Sequence, residues 1–560
     1  MRPDDLALLR TPGPPTVSPD GLFAVTAVTR LDLASDAVLA SLMAVPTDGS
    51  ARARALTTGG RAAAPAFSPD GGWLAYLSSS AGAPPQLWVL PTAGGAPRQL
   101  TDLPLGAGAP AWSPNSRRLA WSSPVLLPGM DGGPRLLTTT PLARDGFAFP
   151  IDRRQQVHVL DLPDDESPPV ALQLTDGDVD STDVCWSPDG AELAFVSARH
   201  ESAAGDLVTD VYAVSPDGSG LRRITSGDGR CRRPAWSAGG LLFVAADSAG
   251  TTLCRVPASG GAAEPVPDVP GGVVLGPVVT GDGVLVGVAR DGAVELLRVG
   301  VGRREALVDG PFRVHGMGAG GGVVVAAVGH DGSAGELLAI TPGRRRLLTG
   351  FGRPLAGTGR VHRARELGAG RGWLSAPDGP GPHPVLLRID DATGWVLEED
   401  VQVFVTAGHA VLSCGSADAA LALLDEALVD PARHLDRGRV GVVGGAGALE
   451  VLSGAARFAA AVVEPGPGSV LPEGVDVPSL VVAPADDVRP GSAALDWYVE
   501  LRRRGVPAEL LVLRRPVAGL DSPRARVGHL EHLRGWFARW LQPGERSEPE
   551  LESSPERAQD

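Results

Sequence analysis

Lysine is missing from all 560 residues, so the 50 basic side chains are arginines, and aromatic residues make up only 4% of the chain. With Gly, Ala, Pro and Val so abundant, the missing lysine reads as compositional bias, and no mechanism follows from it. The formal charge of -15 argues against a nucleic-acid footprint, which needs a clustered basic face, and against attraction to an anionic membrane surface. Long hydrophobic runs are also absent. Met1-Arg-Pro-Asp-Asp-Leu-Ala lacks the pattern of a signal peptide, and the apolar stretch from Gly271 to Ala289 is broken by glycine and aspartate. The four cysteines (Cys185, Cys231, Cys254, Cys414) are scattered without a C-x-x-C pair, which predicts neither a zinc site nor a disulfide framework. A cytoplasmic protein with reduced, buried thiols and no metal or cofactor is expected.

What the chain has is length and repetition. A sequence of 560 residues exceeds what one core organises, so at least two domains are expected. The first half carries Ser18-Pro-Asp-Gly21, Ser68-Pro-Asp-Gly71, Ser113-Pro-Asn115, Ser187-Pro-Asp-Gly190, Ser237-Ala-Gly-Gly240 and Thr280-Gly-Asp-Gly283, at steps of 50, 45, 74, 50 and 43 residues. All steps but one match the length of a propeller blade, and the long one fits an insertion between Ser122 and Gln156. Proline presets φ, Asp or Asn bonds the backbone two residues on, and glycine takes positive φ, so each copy is a tight corner between antiparallel strands. The strand after the corner alternates, as in Trp73-Leu-Ala-Tyr-Leu77 and Leu193-Ala-Phe-Val196, and predicts a half-buried face. A second strand, such as Leu87-Trp-Val-Leu-Pro91 or Val211-Tyr-Ala-Val-Ser-Pro216, precedes a Leu-Thr or Ile-Thr pair (Leu100-Thr101, Ile224-Thr225). With a degenerate copy around Gly316 to Ala339, these repeats predict an all-β seven-bladed propeller of WD40/TolB-like repeats over residues 1–350. The aspartates of the corners are structural, not ligands or acids.

Residues 351–382 read as a linker with one short strand near Trp373-Leu374. From 383 to 542, strands Val385–Ile389, Val401–Val405, Ala410–Ser413, Val440–Val443, Ala459–Val463, Ser479–Ala483 and Glu509–Leu513 alternate with helices such as Ala417–Leu428 and Ala493–Arg504. That alternation predicts a mostly parallel, helix-covered sheet, a truncated α/β-hydrolase-like domain. The last helix, about Val527 to Leu541, has a core stripe of Leu530, Leu533, Trp536, Phe537 and Trp540. Residues 543–560 are charged, nearly free of large apolar groups, and expected to be disordered.

Taken together the chain resembles the prolyl oligopeptidase family of serine peptidases, in particular its acylaminoacyl-peptidase-like branch. The likeness runs through Pro3-Asp-Asp-Leu-Ala, the inserted Pro141-Leu-Ala-Arg-Asp-Gly-Phe147, Pro382-His-Pro-Val-Leu-Leu387, Arg439-Val-Gly-Val442 and Arg504-Gly-Val-Pro-Ala-Glu-Leu510. The resemblance implies acyl transfer: a serine attacks a carbonyl, a histidine takes its proton, an aspartate orients the histidine, and backbone amides hold the oxyanion.

Matched position by position, that machinery is eroded. The nucleophile turn, G-G-S-Y-G-G in the family, reads Gly444-Gly445-Ala446-Gly447-Ala448-Leu449 here, so Ala446 stands for the serine. The base position, in the family's F-P-G-E-G-H-G-L, falls on Ala518. The orienting aspartate matches Asp487, within Ala483-Pro-Ala-Asp-Asp-Val-Arg-Pro490, and is the one retained triad position. The oxyanion H-G-G-P corresponds to Asp390-Asp391-Ala392-Thr393, carboxylates where donors are needed, and the connection from Ser416 to Leu428 is shorter than the family's. Loss of nucleophile or base alone lowers turnover on the order of 10^6 in a measured serine protease.

Substitute groups are weak. Ser416 matches a turn position, Ser453 falls in the helix after the elbow, and Cys414 follows an apolar strand end. His529 and His532 share a helix face at i, i+3 but lack a carboxylate partner, and His409 matches no triad motif. Two readings of function remain. The favoured one is a catalytically inactive pseudo-peptidase that binds or scaffolds peptides or a protein partner. The alternative is an active serine-type peptidase of this resemblance using non-standard residues. Sequence does not set the oligomeric state.

Overall fold

The Ser-Pro-Asp-Gly corners are closed hydrogen-bonded units. In the computed structural model, which describes residues 1–80, 82–127, 152–163, 169–203, 205–227, 229–368, 370–390, 394–453, 457–466, 468–485, 488–513 and 522–541, the Ser68 hydroxyl donates to Asp70 Oδ1 (2.5 Å). The same Asp70 oxygen accepts from Gly72 N (2.9 Å), and Ser68 Oγ accepts from Trp73 N (3.0 Å). Gly71 supplies the left-handed residue at φ 74°. Ser18-Asp20, Ser113-Asn115 and Ser187-Asp189 repeat the arrangement. Where serine-proline-aspartate is lost, the hydroxyls of Ser237 and Thr280 donate to the carbonyls of Gly240 and Gly283.

These corners join the first and second strands of antiparallel meanders. The described residues up to Leu347 form sheets of nine, four, four, four and eight strands. The nine- and eight-stranded sheets are each two meanders touching at one parallel pair, Ala40 with Arg61 and Val294 with Arg313, which makes seven meanders. Each shares an apolar core with the next: Val25 and Leu42 meet Leu74 and Tyr76, Leu87 meets Trp121, and so on along the chain. The seventh packs on the first, with Val325, Ala327 and Leu337 against Val17, Ala24 and Val45. The approach is close enough that a Cβ on Gly318 would lie 2.4 Å from the Pro15 carbonyl oxygen.

Two expectations change here. Strand Leu193–Ser197 is buried at every residue, not on one face, because each meander is covered on both sides by its neighbours. The insertion begins later than predicted: Arg118–Leu126 pairs with Arg153–Asp161 along its whole length, so Ser122 and Gln156 lie inside strands. The inserted segment itself, like the tail from 543, is outside the described residues.

The Leu-Thr pairs have a structural reason. The Leu87 N–H donates to Thr101 Oγ1 (2.9 Å), and that hydroxyl donates to the Gln86 side chain (2.8 Å), pinning the fourth strand to the third. Gln156 with Thr175, Asp210 with Thr225 and Glu336 with Thr349 form the same pin.

The chain divides into two compact units, and the division is not contiguous. The first holds Met1–Val361 with Gly394–Glu399 and Pro516–Arg524, and the second holds the remainder from His362. In the second unit the elements are β1 (Arg365–Leu367), β2 (Gly372–Ser375), β3 (His383–Ile389), α1 (Glu399–Thr406), β4 (Ala410–Cys414), α2 (Ala417–Val429), β5 (Leu435–Gly444), α3 (Ala446–Leu452), β6 (Ala460–Val463), β7 (Ser479–Pro484), α4 (Ala493–Arg503), β8 (Ala508–Leu513) and α5 (Pro523–Trp540). Strand order is β1-β2-β4-β3-β5-β6-β7-β8, antiparallel up to β4 and parallel from there on. Helices α2, α3 and α4 cover one face, and α1 and α5 the other.

The segment read as a linker contains a short helix, Arg353–Ala356, and both strands of the β1–β2 hairpin rather than one. The predicted strand Val401–Val405 is corrected to a helix, α1. Its five residues, Gln402 included, are all buried, so the alternation of Val and Phe does not mark a solvent face, and burial against α5 overrides their β preference. Among the described residues, no helix is long and apolar enough to cross a membrane.

Candidate functional site

The crossovers of an open parallel sheet leave a crevice outside the carboxyl ends of its strands where the strand order reverses. Here that place is the ends of β3, β4 and β5, and a cavity of about 500 Å³ occupies it. Ile389 and Asp390 from β3, Gly415 to Asp418 leading into α2, and Gly445, Ala446, Gly447 and Glu450 around the start of α3 form its walls.

The turn from β5 into α3 is made by glycine because the backbone crowds β3. A Cβ on Gly444 (φ 149°) would lie 2.4 Å from the Ile389 carbonyl oxygen, and one on Gly447 would lie 2.4 Å from Ile389 Cγ2. Gly445 has φ -85° and ψ -131°, outside helix and strand geometry, and Ala446 is already the first helical residue of α3. Residue 446 is therefore not held in the left-handed conformation that thrusts a nucleophile upward; the two preceding glycines take the unusual backbone. Its exposed methyl faces the cavity. Ala448 and Leu449, in the places of the two closing glycines, are buried in the core.

The other predicted positions divide as follows. Asp487, Ala518 and Asp391 to Thr393 lie outside the described residues. Asp390 is on the cavity wall, with its carboxylate 3.0 Å from Arg388 Nη2, while Arg388 Nε reaches Asp400 at 2.8 Å. Ser416 caps α2 without a side-chain hydrogen bond to it and lines the cavity. Ser453 lies at the end of α3, where its hydroxyl donates to the Glu450 carbonyl (2.6 Å). Cys414 is fully buried, and burial pushes its thiol up to about 11, far from a thiolate nucleophile. His532 donates to its own helix at Gly528 O (2.6 Å). His409 is buried against Phe537, where desolvation lowers it to about 4. The short Ser416-to-Leu428 connection is filled by α2.

Sequence reasoning missed Asp418 and Glu450. The signal for Glu450 was available: it lies four residues after Ala446, one helical turn on and so on the same face. With Asp390 these give three carboxylates on the wall, and among the described residues the lining has no histidine, tyrosine, arginine or cysteine. A developing oxyanion needs donors, and negative charge beside it raises its energy.

No protein-family model matches the chain, and no curated protein sequence matches it. Solved structures do. The chain is similar to the Pyrococcus horikoshii acylaminoacyl peptidase at 15% identity and a TM-score of 0.81, covering 98% of each chain. A puromycin-hydrolyzing peptidase of Mycobacterium tuberculosis matches at 16% identity and a TM-score of 0.69, over 98% of this chain and 97% of that one. Dipeptidyl peptidase 4 of Porphyromonas gingivalis matches at 13% identity and a TM-score of 0.55, over 94% of this chain and 90% of that one. At these identities the shared property is the fold, a sheet-rich unit joined to a hydrolase-like one.

Proposed function

We propose that this chain is a catalytically inactive peptidase-like protein of prolyl-oligopeptidase type, whose hydrolase-like unit binds a peptide or protein partner instead of cleaving it. The seven meanders are read as the blades of a propeller closed between the seventh and the first, and the free thiols support a reducing compartment, the cytoplasm. The observation that carries the reading is the cavity at the ends of β3, β4 and β5. It lies where a hydrolase places its nucleophile, and there the chain has a methyl group surrounded by carboxylates.

A second reading rests on Ser416, whose hydroxyl lines the same cavity. An active hydrolase using it would label with a fluorophosphonate probe and cleave an acyl-amino p-nitroanilide, and Ser416→Ala would abolish both. Wild-type protein that stays unlabelled and leaves the substrate uncleaved supports the inactive reading; labelling lost in Ser416→Ala sinks it.

A further inference from the structure

Each meander ends on an outermost strand, and among the described residues most of these strands are very short. They run two residues in the first, second, fourth and fifth meanders (Arg54–Ala55, Arg98–Gln99, Arg222–Arg223, Glu264–Pro265) and three in the third (Ala171–Gln173). The seventh has four, Arg344–Leu347, and the sixth has six, Arg303–Val308. A sheet edge presents unpaired N–H and C=O groups that template another strand, so natural edges are kept short, charged or covered. The sixth meander cannot rely on shortness.

Arginines of the outermost strands cover acceptors on neighbouring meanders. Arg98 Nη2 donates to the Pro163 carbonyl of the third meander (3.3 Å), Arg222 Nη1 to the Ala258 carbonyl of the fifth (3.0 Å), and Arg346 Nη2 to the Gly49 carbonyl of the first (3.3 Å). Each of these carbonyls follows the third strand of its meander. The sixth meander is covered differently, on the strand itself. Arg345 of the seventh donates from Nη2 to the Ala306 carbonyl (3.1 Å), and its Nη1 reaches Asp309 Oδ1 at 3.2 Å.

Strand Arg303–Val308 pairs on one side, with Ala293–Gly300. In an antiparallel ladder the N–H and C=O of one residue point the same way, and successive residues alternate. The Ala306 carbonyl that meets Arg345 therefore marks Ala306 and Arg304 as the residues whose backbone faces outward, and both are exposed. A copy of the same strand can meet this edge about a two-fold axis, Arg304 opposite Ala306 and Ala306 opposite Arg304. Glu305 then lies opposite its own copy and diagonal to the copy's Arg303, an opposite-charge neighbour.

We propose that this edge is a self-association surface held shut by Arg345, and that a second copy of the chain adds to Arg303–Val308 by strand pairing once that guanidinium is withdrawn. The side chain acts in two ways: it occupies the acceptor that the incoming strand needs, and it adds a third cation beside Arg303 and Arg304, which a second copy would bring in equal number.

Sedimentation velocity of the full chain over a range of concentrations tests this, with amide hydrogen exchange as the local reading. Arg345→Ala changes a half-exposed side chain, and its mass is expected to rise toward twice that of the wild-type species as concentration increases, while exchange slows at 303–308. Adding Ala306→Pro removes the outward N–H at an edge position, where proline is tolerated, and returns the protein to wild-type sedimentation. Equal sedimentation of Arg345→Ala and wild type overturns the proposal, and so does association that survives Ala306→Pro. If Arg345→Ala fails to fold, Arg345→Gln, uncharged and still long, is judged by the same two readings.

Discussion

His409 shows how one buried side chain sets an acid limit on the second unit. Its ring is packed beside Phe537 and desolvated, so the folded form holds its value near 4 against about 6.5 in an unfolded chain. Between those values the unfolded state binds a proton that the folded state refuses, so stability is lost as pH falls from about 6.5 to about 4, by about 3 kcal/mol in all. Denaturant titrations across that window should show the slope, and His409→Gln should flatten it. At Ala446 the expected result is a null one. Ala446→Ser adds a hydroxyl, yet the cavity wall carries Asp390, Asp418 and Glu450 and, on the proposed reading, the residue matched to the base is Ala518, so fluorophosphonate labelling stays at background. That residue 446 stands at a strand-to-helix turn was legible in sequence, because the glycines on either side of it mark the turn. The backbone around it was not, since only the approach of Ile389 shows that Gly444 and Gly445, rather than residue 446, make the turn.

Among elements, the pins are the unit of stability in the sheet-rich half. Thr175→Val keeps shape but leaves the Val157 N–H without its acceptor inside a buried pin, a cost of about 1–3 kcal/mol. Chemical denaturation of the full chain reads that loss, and the control Thr175→Ser should recover most of it. The corners were legible because each is made by residues adjacent in sequence, with bonds spanning two to five positions, as in Ser68 to Trp73; the Leu-Thr pairs showed as a recurring dipeptide, but their pins reach back fourteen or fifteen positions, as from Thr101 to Leu87 and Gln86, and were not legible. Helix α1 was not legible for the opposite reason: Val401, Val403 and Val405 alternate as a strand does, and only packing against α5, more than a hundred residues on, decides otherwise.

For the whole molecule, the join between the seventh meander and the first links residues 303 apart in sequence, as where His315 Nε2 meets the Pro12 carbonyl. Gly318→Ala drives a methyl toward the Pro15 carbonyl, and overpacking of that kind costs about 1–3 kcal/mol. Limited proteolysis should then release the N-terminal strands, Thr11–Pro12 and Thr16–Val17, before any other part of the unit. The repeat count read from sequence met seven meanders in the structure, because regular spacing survives even where the Ser-Pro-Asp-Gly letters decay, as at Thr280. One further property lies in the tryptophans that end the first strands of the third and fourth meanders, Ala111–Trp112 and Ser181–Trp186. The Trp112 indole N–H donates to the Ala66 carbonyl, and that of Trp186 to the Ala111 carbonyl, both at 3.0 Å. Each donor belongs to a later meander than its acceptor, so these bonds point backward along the chain. During synthesis the acceptors of these two bonds emerge from the ribosome first, so the third and fourth meanders each find an earlier edge to grip.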